Sequence, residues 1–154
     1  MDGEMNDKSG DAWPGWERVV EGSQVYFRLD RSLALLDGIP YFEYPPRIAR
    51  LKREGRLEEA AELLRRLVVV VEVEADQSAF GLQWKLAPWY YEQLAIVYRK
   101  LKQFSNEVAI VERYLVHPQA VKERLPDFQR RLAKAVVLQA RAGGSQPMEE
   151  EIAS

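Results

Sequence analysis

The stretch that most constrains this chain runs from Pro88 to Pro118, PWYYEQLAIVYRKLKQFSNEVAIVERYLVHP. In its first half Tyr91, Leu94, Ala95, Tyr98 and Leu101 recur at the spacing that lines one face of a helix. Pro88 suits a first helical turn, where its missing N–H has no partner to lose. Lys100 and Lys102 stand near the far end, where cations complement the helix dipole. Phe104-Ser105-Asn106 interrupts the pattern, because Ser and Asn compete for backbone hydrogen bonds. A second stripe, Phe104, Val108, Val111 and Leu115, then runs to His117-Pro118, where a proline cannot continue the ladder. Two amphipathic helices joined by a tight turn are the expectation.

Upstream lies a second, weaker copy of this unit. Pro45-Pro46 leads into RIARLKREG, with Ile48 and Leu51 apolar and Gly55 marking a helix end. Leu57, Ala60, Ala61, Leu64, Leu67, Val68 and Val71 then trace a longer helical stripe, with Glu58 and Glu59 in its first turn. The helical period carries straight through VVVV, so a helix is expected there although valine also suits strands. The equivalent turn positions, Gly55 and Lys102, are 47 residues apart.

Residues 88–118 resemble a tetratricopeptide repeat, a helix–turn–helix unit of about 34 residues with a W-x2-L-G-x2-Y … A-x3-F … P pattern. Tyr91 stands for its Trp, Leu94 for its Leu, Ala95 for its Gly and Tyr98 for its Tyr. Pro118 falls within one residue of the closing proline. Glu107 departs from the small Ala, and Val111 from the Phe. In the upstream copy Ala60 and Leu64 fit the A-x3-F element, whereas Tyr44, Arg47, Ile48 and Leu51 match the first helix poorly. The resemblance implies a mainly α fold, a short helical-repeat stack of about five helices. It also implies a concave surface lined by the first helix of each unit. On that surface it places Trp89, Glu92, Ile96 and Arg99 of one unit beside Ala49, Lys52 and Arg53 of the other.

The rest of the chain supplies flanks. Residues 1–12 are polar and acidic, unlike a signal peptide, and are expected to be disordered. Residues 13–46 read as a cap. WERVV pairs across Glu21-Gly22-Ser23-Gln24 with the alternating Val25, Phe27 and Leu29, a small β-hairpin expected to pack on one end of the stack. Ser32 to Leu36 reads as a helical turn stopped by Asp37-Gly38, and GIPYFEYPP as extended chain whose Tyr41, Phe42 and Tyr44 plug the core. The helical body spans 45–142. Within it ADQSAFGLQWKLA is a loop or helix extension, whose Phe80 and Trp84 either fold back on the core or form a partner-facing lip. Leu125, Phe128, Leu132, Ala135, Val136 and Gln139 mark a fifth helix ended by Gly143-Gly144. Residues 143–154 form an acidic tail expected to be disordered.

Charge divides along the same lines. Residues 1–44 carry 4 basic and 9 acidic side chains, residues 45–142 carry 18 and 12, and residues 143–154 carry none and 3. A basic body between acidic ends reads as solvated helix faces or, alternatively, as a surface for an anionic partner partly shielded by the tails. No cysteine is present, which excludes thiolate chemistry and disulfides, and no apolar run approaches the length that spans a bilayer. His117 has no nucleophile or metal-ligand spacing around it and reads as a surface residue. Glu72 and Asp76 share a helical face, but solvation of the helix accounts for them better than a cation does.

No enzyme, cofactor or metal site is therefore expected. The expected function is a cytoplasmic protein-interaction module that takes a protein or acidic peptide in a groove formed by Trp89, Glu92, Ile96, Arg99, Lys52 and Arg53. Two other classes stay open. One is nucleic-acid association through Lys52, Arg53, Arg56, Arg99, Lys100 and Lys102. The other is a purely structural or oligomerising subunit.

Overall fold

The computed structural model describes residues 16–29, 34–77 and 85–153. The chain is mainly helical, with two small antiparallel hairpins near its N-terminal end. The first hairpin joins β1 (Trp16–Glu21) to β2 (Gln24–Leu29), with Glu21 opposite Gln24. Its two-residue turn opens on Gly22 at φ +62°, a backbone state that glycine reaches without a Cβ clash. The second joins β3 (Leu35–Leu36) to β4 (Ile39–Pro40) through Asp37 and Gly38, both at positive φ (54° and 79°). Asp-Gly with both φ values positive is the arrangement of a type I′ turn.

These hairpins revise the expected cap. Leu35–Leu36 is a strand and not the end of a helical turn, because Asp37-Gly38 reverses the chain between two paired segments. Tyr41–Glu43 is a short 3-10 turn and not extended chain. Tyr44 is helical (φ −87°, ψ −20°) although a proline follows it. Its buried ring and its hydroxyl, which donates to the Leu36 carbonyl at 2.7 Å, hold it there against the local steric preference. Phe42 is no plug: it is 53% exposed. Among the described side chains of the first hairpin, Arg18 to Val25, only Val19 is half-buried. Residues 34–44 cap the helices. Ala34 and Tyr44 are buried, Tyr41 donates to Glu74 Oε1 at 2.5 Å, and Tyr90 donates to the Tyr41 carbonyl at 3.0 Å.

Among the described residues five α-helices follow: α1 (Pro45–Arg53), α2 (Leu57–Ala75), α3 (Pro88–Lys100), α4 (Phe104–Leu115) and α5 (Leu125–Ala153). Each packs on the next. The α1–α2 and α3–α4 turns are built alike. Gly55 N–H bonds Lys52 O and Arg56 N–H bonds Leu51 O, while Lys102 N–H bonds Arg99 O and Gln103 N–H bonds Tyr98 O. This is a Schellman ending, and it needs a left-handed residue just past the helix. Gly55 (φ 73°) supplies it in one turn and Lys102 (φ 60°) in the other. The 47-residue offset carries core onto core: Tyr44 and Tyr91, Leu51 and Tyr98, Leu64 and Val111, Leu67 and Tyr114 are all buried.

Tyr91, Leu94, Ala95 and Tyr98 are buried as the spacing predicts, and Tyr90 and Val97 are buried as well, because α3 is sandwiched between α2 and α4. The stripe of α4 is rotated from its expected position. Glu107, Ile110, Val111 and Tyr114 are buried, while Phe104, Val108 and Leu115 are half-buried. A buried glutamate hides that face from a hydrophobicity pattern.

Phe128 stacks on Tyr114 with centroids 4.2 Å apart and anchors α5, whereas Val136 is 45% exposed instead of lining its inner stripe. Gly143-Gly144 does not end α5, which continues as helix to Ala153 where disordered chain was expected. Glycine costs a helix about 1 kcal/mol and does not by itself stop one. The connector before α3 is tied to the α4–α5 loop. Leu86 N–H bonds Gln119 O at 2.8 Å, Tyr114 donates to Leu86 O at 3.1 Å, and Val121 N–H donates to Tyr114 Oη at 2.9 Å. Residues 1–12, Phe80 and Trp84, on which expectations were placed, lie outside the described residues. No helix among the described residues is long and apolar enough to cross a membrane.

Candidate functional site

The first helix of each pair lines one groove. On α1, Ile48 and Leu51 turn into the core, which leaves Ala49, Lys52 and Arg53 for the face beside α3. On α3, Trp89, Gln93 and Lys100 follow at i, i+4 and i+11. Together with Ile48 these side chains line an open groove of about 410 Å³. Lys52 Nζ donates to Gln93 Oε1 at 2.5 Å and ties the two walls together. Partial burial lowers the Lys52 pKa from its ordinary 10.5, and the Lys100 charge lowers it further. Trp89 is half-buried, with its ring edge-on to Tyr90 at 4.9 Å.

The groove's charge is unspent. Among the described residues no ion pair engages Lys52, Arg53 or Lys100. Three cations with no carboxylate among them repel one another at short range, and an anionic ligand would relieve that repulsion.

Of the six residues predicted for the site, Lys52, Arg53 and Trp89 come together there. Glu92, Ile96 and Arg99 do not. Glu92 meets Arg124 Nη2 at 3.2 Å, and Ile96 is half-buried. Arg99 Nη2 lies 2.7 Å from Glu107 Oε2, and its Nε donates to Oε1 at 3.1 Å. For Glu92 and Arg99 the reason is helical rotation; Ile96 shares the Trp89 direction to within about 20° and is half-buried outside the groove lining. At about 100° per residue, Glu92 and Arg99 fall about 60° and 80° behind Trp89, while Gln93 and Lys100 fall about 40° and 20° ahead of it. Gln93 and Lys100, neither of them expected in the peptide groove, were therefore within reach of the helical period. What was lacking was which edge of the stripe faces α1.

The remaining polar residues hold the scaffold. Glu107 is fully buried between Arg99 of α3 and Arg131 of α5, whose Nη1 lies 3.4 Å from Oε2. A buried carboxylate needs such partners, since an unpaired one is far too costly to keep ionised. Glu72 accepts the Tyr91 hydroxyl at 2.6 Å and both arms of Arg113 at 2.6 Å. Burial acts to raise its pKa, but the hydrogen bonds from Arg113 and Tyr91 outweigh that and hold it below the ordinary value. Burial pushes the Tyr90 phenol up to about 12, with Glu74 adding to the shift.

His117 is no surface residue. It is 14% exposed, its Nδ1 accepts the Gln119 N–H at 3.0 Å, and Nε2 lies 3.7 Å from Asp76. Glu72 and Asp76 thus face protein partners, and among the described residues no three of His, Asp and Glu gather as a metal site would require. A second groove, lined by Arg65, Val68, Val69, Tyr98, Ile110 and Arg113, lies between α2 and α4. Its cations are engaged: Arg65 by Glu62 and the Tyr98 hydroxyl, Arg113 by Glu72.

Comparison of the chain with models of protein families, with curated proteins and with solved structures found no match.

Proposed function

We propose that this chain is a non-enzymatic protein-interaction module, a short tetratricopeptide-like helical repeat that takes an acidic peptide segment of a partner in the α1–α3 groove. The observation that carries the reading is the groove itself, where Lys52, Arg53 and Lys100 flank Trp89 with no carboxylate among the described residues paired to them. Trp89 offers the partner an apolar anchor, and the cations offer charge-assisted hydrogen bonds. Support for the repeat comes from the two Schellman turns 47 residues apart and from the core positions that correspond across that offset. The cytoplasm suits a cysteine-free module of this kind. Nucleic-acid association has less support. Arg99 and Arg56, two of its six expected contacts, are held by Glu107 and by Glu54 and Glu59.

The test is a calorimetric titration with a glutamate-rich peptide carrying one aromatic residue, at low and high salt. Lys52→Glu with Lys100→Glu should weaken binding by about tenfold or more, with the melting temperature little changed. Trp89→Ala should weaken it as well. Unchanged affinity in the doubly reversed variant would overturn the reading.

A further inference from the structure

The groove has an acidic segment of its own chain within reach. Gln139, Ala142 and Gly143 stand beside Lys102, Gln103 and Ser105 of the α3–α4 turn, and Gln139 Nε2 donates to Ser105 Oγ at 3.0 Å. α5 thus passes Gly143 at the end of the molecule where α1 and α3 finish, and there Lys52, Arg53 and Lys100 lie in the last turns of their helices. The sequence then reads GSQPMEEEIAS, with Glu149, Glu150 and Glu151 carrying three negative charges and no lysine or arginine among them. In the structure the segment continues α5 as far as Ala153.

Its composition is poor for that role. Gly143 and Gly144 adjoin, and Pro147 has no N–H to give the Gly143 carbonyl; glycine and proline are the least favourable residues in a helix interior. Three glutamates in the final turns also meet the negative pole of the helix dipole. Six residues from Gly143 to Glu149 span about 20 Å when extended. Two helix spacings of about 8–10 Å each fall within that reach.

Resting on the groove reading above, we propose that the α1–α3 groove is regulated by this chain's own C-terminal segment. α5 hinges at Gly143-Gly144, and Glu149–Glu151 occupy the cations at Lys52, Arg53 and Lys100 until a partner's acidic segment displaces them. The helical and folded-back arrangements are two states whose balance the partner shifts. A tether of this length gives the segment a millimolar effective concentration, so even weak pairing competes with a partner. Salt screens the exposed charges and releases the segment.

The experiment compares the full chain with a variant carrying Glu149→Gln, Glu150→Gln and Glu151→Gln. The probe is a labelled synthetic peptide of residues 148–154, followed by fluorescence anisotropy at low salt. Carbodiimide cross-linking of the full chain, read by mass spectrometry, supplies an independent measurement. The variant should bind the probe about three- to tenfold more tightly than the full chain. Intrachain cross-links should join Glu149–Glu151 to Lys52 or Lys100 at monomer mass. Equal probe binding by both proteins, without those cross-links, overturns the tail inference and leaves the groove reading standing. No probe binding by either protein, without cross-links, overturns both. Cross-links that appear only at dimer mass overturn the inference in favour of a second copy as occupant.

Discussion

Single residues carry disproportionate weight here because α3 is enclosed on two sides. Leu64, fully buried on α2, packs in the same core as Leu94 and Tyr98 of α3. Leu64→Ala should cost about 2–5 kcal/mol in a denaturant titration, through lost burial and the cavity left behind. A loss under about 0.5 kcal/mol would mean that the packing is not as described. Glu72 makes stability depend on pH on the acid side. Its folded pKa lies below the ordinary 4.5, so its contribution is fully present above that pH and is lost as pH falls through the folded value. Glu72→Gln should therefore lower stability at neutral pH. The gap between variant and parent should close in thermal melts taken progressively below pH 4.5. A gap that persists unchanged at the lowest pH would assign the loss to packing and not to the carboxylate's charge.

At the scale of elements, the C-terminal third of α5 and the N-terminal segments make opposite predictions. Past Ala142 the helix carries two adjacent glycines and Pro147, which together cost about 5 kcal/mol relative to alanine in a helix interior. Truncation after Gly144 should leave the melting temperature within about 2 °C of the parent, a small ΔΔG for a domain of this size. A larger drop would mean that the segment helps hold the folded body. The segment 34–44 is different. It brings buried Ala34 and Tyr44 and the Tyr41–Glu74 and Tyr90–Tyr41 hydrogen bonds onto the helices. Deleting residues 1–46 should therefore drop the melting temperature sharply or cause aggregation, while deleting residues 1–12 should change it little. Equal melting of the two deletions would remove the capping role.

For the whole molecule, the local patterns were legible and the pairing of faces was not. The helices at 45–53, 57–75, 88–100 and 104–115, and the Gly22-Ser23 hairpin, follow from apolar spacing, prolines at helix starts and a glycine in a turn. All of these act over a few residues. Three features depended on distant partners. Tyr44 is helical before a proline because its side chain is anchored on Leu36. Glu107 is core because Arg99 and Arg131 arrive from two other helices to neutralise it. On α3 the groove is built by Trp89, Gln93 and Lys100, not by Trp89, Glu92 and Arg99, because Arg124, in the turn just ahead of α5, claims Glu92 and Arg99 is bound to Glu107. Backbone propensity and amphipathic period are properties of neighbouring residues, so the sequence alone determined where the helices from 45 to 115 lie and which side of α1, α2 and α3 is apolar. Which polar residues are consumed by burial and which remain for a partner depends on the charges that other helices bring up, and only the tertiary structure decided that.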